Sequence, residues 1–255
     1  MVSQTVVAGN WKMNLGPVEA AKFARELKLP RGSTSEVILF PPALSLAALK
    51  EGLGPDSGVA LGVQNVHWEE AGAFTGEISV PMAMQAGATF VLVGHSERRH
   101  VFGEADDAVS QKVEAVLSGG LTPVLCVGET LEERKRDQVA EVILRQLEAV
   151  LGPQDIRSKL VAGSRLFVAY EPVWAIGTGE TATPADASRA HGILRDRLRE
   201  RLGDDVGEAV PILYGGSVKP DNAGELLAAP EVNGVLVGGA SLDPASFAEI
   251  VVQSS

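Results

Sequence analysis

Leu166-Phe167-Val168-Ala169-Tyr170-Glu171-Pro172-Val173-Trp174-Ala175-Ile176-Gly177-Thr178-Gly179-Glu180 is the stretch from which the rest of the chain can be read. Its first part is a continuous apolar run of strand formers, long enough for one buried strand and too short for a helix. The run stops at a carboxylate. Pro172 disfavours the helical region for the residue before it, so Glu171 stays extended at the strand's last position. Val173, Trp174, Ala175 and Ile176 are apolar, yet Gly177, Thr178 and Gly179 mark a loop. Two readings of that loop remain open: a partly packed connection, or a lid that closes its apolar side over a ligand and offers glycine amides to an anion. Just beyond it, Thr183-Pro184-Ala185-Asp186 reads as a helix cap followed by proline in the first turn. Strand, carboxylate, loop and helix together form one unit of a parallel sheet.

The same unit recurs along the chain. Apolar runs fall at residues 5–8, 37–40, 59–63, 90–93, 124–127, 166–170, 212–214 and 235–237, with helical segments between them. Eight units in 255 residues average about 32 residues each, the size expected of a (β/α)8 barrel. Val139, Val142, Ile143, Leu147, Val150 and Leu151 share a helical face, and the pattern predicts one helix entered through Thr130 with Glu133 three residues on, a capping box. Asp243-Pro244 starts another helix. An open doubly wound sheet is the competing arrangement, but no Gly-x-Gly-x-x-Gly follows the first run. The expectation is an α/β fold with eight parallel strands surrounded by helices, in a single domain spanning residues 1–255.

Composition narrows the class. A chain that is 45% hydrophobic can bury a full core. No apolar stretch approaches the roughly 20 residues of a membrane span, and the first residues lack the basic and apolar regions of a signal peptide. With the single cysteine, Cys126, this points to a cytoplasmic protein. The formal net charge of −11 argues against a nucleic-acid surface. It says little about small anions, whose binding local donors decide.

Polar residues follow the apolar runs, where barrel enzymes keep their sites. After the first run comes Gly9-Asn10-Trp11-Lys12-Met13-Asn14, whose lysine is either a snorkelling surface residue or a placed cation. Gln64 and Asn65 follow the third and read as structural amides. His95-Ser96-Glu97-Arg98-Arg99 follows the fourth. His95 is either a satisfied core histidine or a neutral donor poised where a helix starting at Ser96 disfavours imidazolium. Cys126 reads as a small packed hydrophobe, and Glu129 as the beginning of the next helix. Tyr214-Gly215-Gly216-Ser217-Val218 lies ahead of a helix expected near Pro220, and Gly238-Gly239-Ala240-Ser241 follows the last run. Each pair of glycines alone is a turn; after the last two strands of a barrel they mark a common phosphate site. His67, His95, His100 and His191 show no paired metal-ligand spacing.

These segments, in this order, resemble the triosephosphate isomerase family over essentially the whole chain. The resemblance rests on residues 9–14, Gln64-Asn65-Val66, His95 to Arg99, Tyr170 to Gly179 and Tyr214 to Ser217. It implies a TIM barrel and the cofactor-free interconversion of dihydroxyacetone phosphate and D-glyceraldehyde 3-phosphate through an enediolate, in glycolysis and gluconeogenesis. By position it implies Glu171 as the base, His95 as the electrophile and Lys12 as the cation facing the substrate. It further implies that Asn10 shapes the site, and that Gly177, Ser217, Gly238 and Gly239 meet the phosphate. The loop over residues 66–77, with Trp68, Phe74 and Thr75, is long and apolar-tipped and would stand exposed in a monomer, which predicts a homodimer at least; the resemblance implies that it docks beside Asn10 and Lys12 of the partner. One departure is Glu180, where the family usually has lysine. The rival readings are another phosphosugar isomerase, an aldolase using Lys12 as a Schiff base, and a phosphate-binding barrel without catalysis.

Overall fold

The computed structural model describes residues 4–30, 32–175 and 182–254. Eight strands close into an all-parallel barrel in sequence order: β1 (Val6–Asn10), β2 (Glu36–Phe40), β3 (Val59–Val63), β4 (Phe90–Val93), β5 (Thr122–Val127), β6 (Phe167–Tyr170), β7 (Ile212–Tyr214) and β8 (Gly234–Val237). The ring shuts where Val6 to Gly9 pair with Gly234 to Val237. The barrel expected from the eight apolar runs is therefore the observed fold, with helices surrounding it.

Side chains alternate across each strand, so every strand serves two cores. Ala8, Ile38, Phe40, Phe90, Leu92, Val124, Cys126, Phe167, Ala169, Leu213 and Leu236 fill the barrel interior. Their neighbours Val7, Leu39, Val91, Leu125, Val168, Ile212 and Val235 face outward into a larger layer against the helices. This alternation makes the runs continuously apolar, as strands buried on both faces require. It also sets which residues reach the mouth of the barrel. Asn10 follows Ala8 and Glu171 follows Ala169, so both continue the inward-facing series past the last apolar layer.

The helix starts at Thr183 and Asp243 are present: Pro184–Leu202 carries the capping box of Thr183 with Asp186, and Pro244–Gln253 is capped by Asp243. The expected single helix from Thr130 is not. The capping box of Thr130 and Glu133 opens a short helix, Leu131–Lys135, and a second, Val139–Leu151, begins afterwards. Asp137 adopts φ 57° between them. The Gln138 N–H bonds back to the Glu133 carbonyl at 3.0 Å, the closure that ends a helix. The apolar periodicity starts only at Val139, and the cap belongs to the shorter piece. Likewise the helix expected near Pro220 begins at Ala223, because Asn222 ties Lys219 N and Ser217 O into a turn.

Candidate active site

Lys12 leaves β1 in a left-handed conformation, φ 52°, which costs a non-glycine residue on the order of 1–3 kcal/mol. Its surroundings impose it. The Lys12 N–H donates to Asn10 Oδ1 at 3.0 Å, and Gln64 Nε2 donates to the carbonyls of Lys12 and Phe40 at 2.8 and 2.9 Å. Gln64 is thus the structural amide its sequence position suggested, and what it holds is the lysine. Lys12 Nζ pairs with Glu97 Oε1 at 2.7 Å.

Gly94 turns the chain at the end of β4 with φ 72°. Arg99 braces this turn, donating to the carbonyls of Gly94 and Cys126 and pairing with Asp106. The turn delivers His95 as the N-cap of the helix Ser96–His100. Its Nδ1 accepts from the Glu97 N–H at 3.2 Å, which leaves the proton of a neutral ring on Nε2. Nε2 lies 3.1 Å from Glu171 Oε1, and Glu171 Oε2 accepts from the Ser96 N–H at 3.0 Å.

Both partners are almost fully buried. Burial opposes the Glu171 carboxylate, but His95, the Ser96 amide and Lys12 outweigh it and hold the carboxyl below its ordinary range. Burial lowers the His95 pKa, with Lys12 acting the same way, but the carboxylates of Glu171 and, to a lesser extent, Glu97 raise it, and the net shift is upward. The helix terminus that the sequence revealed therefore acts at Nδ1, while an upward pull that the sequence did not reveal acts at Nε2. Cys126 lies in the apolar interior, its thiol pushed well up by burial and by Glu171.

Glu129 does not merely begin the next helix, whose N-cap is Thr130. It is fully buried on the outer face of the barrel. Its carboxylate accepts from the Tyr170 hydroxyl at 3.1 Å and from Trp174 Nε1–H at 2.8 Å. Arg134 stands 3.8 Å from the carboxylate and 4.2 Å from the Trp174 ring centre. Burial raises the Glu129 pKa despite these donors. Strand alternation was the available signal: Glu129 lies one residue past the inward position after Cys126, and so shares the outer face with Tyr170. A second buried cluster went unread, in which Glu104 accepts from Arg98 at 2.7 Å and from Lys112 at 2.5 Å while Lys112 also reaches Asn65 at 2.8 Å.

Asn10, Lys12, His95, Glu171 and Gly238 line one cavity, with Gly215, Gly216 and Leu236 completing it. Ser217 and Gly239 are the next residues along from two of these lining glycines and do not themselves line it. Gly177 and Glu180, with the remainder of the loop from Ile176 to Thr181, lie outside the described residues. The cavity holds about 30 Å³, room for on the order of one or two waters. It adjoins a groove of about 340 Å³ through the shared residues Asn10, Lys12 and His95.

Comparison with known proteins places the chain among relatives. The family described as triosephosphate isomerase matches residues 5–254. The chain is 47% identical over 247 residues to a triosephosphate isomerase of Carboxydothermus hydrogenoformans, covering 96% of each chain. It is 46% identical to one of Solibacter usitatus, covering 96% of this chain and 98% of that one. A Synechococcus relative is 47% identical, with 96% of this chain and 93% of that one covered. The chain belongs to the triosephosphate isomerase family.

Proposed function

We propose that Glu171, His95 and Lys12 carry out the isomerisation of dihydroxyacetone phosphate and D-glyceraldehyde 3-phosphate that this family performs, without a cofactor, in a single barrel domain of residues 1–255. The observation that carries the assignment is the convergence of a carboxylate, an imidazole N–H and an ammonium on one cavity at the carboxyl ends of the strands. Moving a proton between adjacent carbons needs a base that reaches both, and the enediolate between them needs fixed donors at its oxygens. Glu171 takes the proton beside the carbonyl and returns it to the neighbouring carbon. His95 Nε2–H donates to the developing oxyanion, and Lys12 supplies positive charge beside it.

The resting geometry sets a condition on the first step. With Glu171 on His95 and Ser96 the cavity is far too small for a triose phosphate, so the carboxylate leaves those partners when substrate enters. The part of the upward pull on His95 that comes from Glu171 then ceases, leaving only that of Glu97 against burial and Lys12. Burial and the Glu97 amide favour a neutral ring that still carries its proton on Nε2. Amides around Ser217, Gly238 and Gly239, joined by Gly177, hold the phosphate. A firm grip matters because an enediolate beside a free phosphate eliminates it.

Assembly as a homodimer completes the reading. The groove beside Asn10 and Lys12 is rimmed by Met13, Ala43, Ile78 and Phe102. Met13 is 94% and Phe102 69% exposed, an apolar rim that a partner would cover. Residues 71–77 form an exposed tip, and at its base the His67 ring stacks on Trp68 at 4.2 Å and meets the tilted Phe74 ring at 4.1 Å. That tip, from the second copy, is the proposed occupant. Among the described residues no helix is long and apolar enough to cross a membrane; with the lone buried thiol of Cys126, a reducing, cytoplasmic setting fits.

The test is conversion of dihydroxyacetone phosphate by purified protein in deuterated water with a chelator present. Product carrying solvent deuterium on the carbon beside the carbonyl supports proton transfer. Borohydride trapping of substrate on Lys12 would instead support the aldolase reading.

A further inference from the structure

The geometry points to Gln146 as a positioning residue for Glu171, acting through the backbone of Gly128. This rests on the role proposed above for Glu171. Gln146 sits on the helix Val139–Leu151 beside Val142, Ile143, Leu147 and Val150, and only 3% of it is exposed. A primary amide on such a face is costly unless both its ends are paired. Here one residue pairs both. Gln146 Oε1 accepts from the Gly128 N–H at 2.8 Å, and Nε2 donates to the Gly128 carbonyl at 3.3 Å.

Gly128 in turn presses on the base. A Cβ built there would stand 1.8 Å from the Glu171 carbonyl oxygen and 3.3 Å from its Cα, so the two backbones meet with nothing between them. Two bonds straddle this contact: the Glu171 N–H donates to the Val127 carbonyl at 2.7 Å, and the Val173 N–H to the Glu129 carbonyl at 3.0 Å. Gly128 is held by Gln146 on one side and abuts Glu171 on the other. A shift of the glycine moves the Cα from which the catalytic carboxylate projects. A misplacement on the order of 1 Å at a reacting group lowers rate about a hundredfold.

Two variants separate positioning from packing. Gln146→Met keeps the length and removes both bonds. Its kcat should fall at least about tenfold with KM within about twofold, since no phosphate contact is touched, and the substrate deuterium isotope effect on kcat should rise. Leu147→Ala, equally buried on the same helix, should lower Tm and leave both quantities at the parent values well below Tm. Gln146→Glu adds a pH signature. The neutral acid accepts from the Gly128 N–H and donates to its carbonyl, whereas the carboxylate cannot donate. The ratio of its kcat to that of the parent should therefore approach one in acid and fall as pH rises. A folded Gln146→Met with kcat within about twofold and an unchanged isotope effect overturns the inference. So does a pH-independent ratio for Gln146→Glu, which decides the matter alone if the methionine variant does not fold. A parent that fails to isomerise substrate would instead remove the catalytic reading itself.

Discussion

Glu171 and His95 are each other's partners: Oε1 lies 3.1 Å from Nε2, and the second carboxylate oxygen is held by the amide that follows the histidine. The proposed base and the proposed electrophile thus share one hydrogen bond, and whatever removes it changes both. Their pKa shifts run in opposite directions, Glu171 below 4.5 and His95 above 6.5.

The pair makes stability depend on pH with a definite sign. A lowered Glu171 pKa contributes stability that is present above its unfolded value and lost as pH falls through the folded one. A raised His95 pKa contributes stability that is present below its unfolded value and lost as pH rises through the folded one. The stability difference between the parent and Glu171→Gln should therefore be largest between pH 4.5 and 6.5, the two unperturbed values, and shrink on either side. Urea unfolding across pH checks this, and a difference independent of pH counts against the coupling. In Glu171→Gln the pull of the Glu171 carboxylate is gone and only that of Glu97 stays, so nitrogen NMR should find His95 titrating lower than in the parent.

Glu104 should prove costly to lose. Burial opposes its charge, and bonds from Lys112 and Arg98 hold its pKa below the ordinary value nonetheless. Glu104→Leu leaves Lys112 buried without its counter-charge, a loss expected at about 3–5 kcal/mol. Adding Lys112→Met should restore much of it, because a buried pair replaced by apolar groups is often neutral. Urea midpoints of the single and double variants make the comparison, and additive losses would show that the two charges do not interact.

The proposed dimer ties assembly to activity. Placing a charge in the apolar rim, as in Met13→Glu with Phe102→Glu, should yield monomers at micromolar concentration by light scattering. Turnover should fall with the dimer population, because Asn10 and Lys12 line the same groove. Monomers with undiminished kcat would separate the interface from the site.

Much of this was open to reading in the chain because a barrel repeats one unit. Runs such as 90–93 and 212–214 coincide with β4 and β7, since a strand buried on both faces has no polar residue with which to blur its ends. Glu171 was marked by its place after such a run and before Pro172. The break at Asp137 was hidden, because an aspartate taking a left-handed conformation leaves no mark in the apolar pattern. The clusters of Glu104 and Glu129 were hidden for a different reason. Glu129 meets partners more than forty residues away, Glu104 meets Arg98 and Lys112 across a turn whose burial the sequence does not show, and a charged residue is most simply read as solvated until its partners are known. Gln64 and Gln146 carry the same lesson: what an amide holds depends on the carbonyl it faces, and sequence does not show that.

The most direct test of the central claim is kcat for Glu171→Gln with dihydroxyacetone phosphate, measured beside the parent. The amide keeps the shape of the side chain and cannot accept a proton. If Glu171 is the base, kcat falls by about 10²–10⁴ or more; turnover within tenfold of the parent would contradict that assignment.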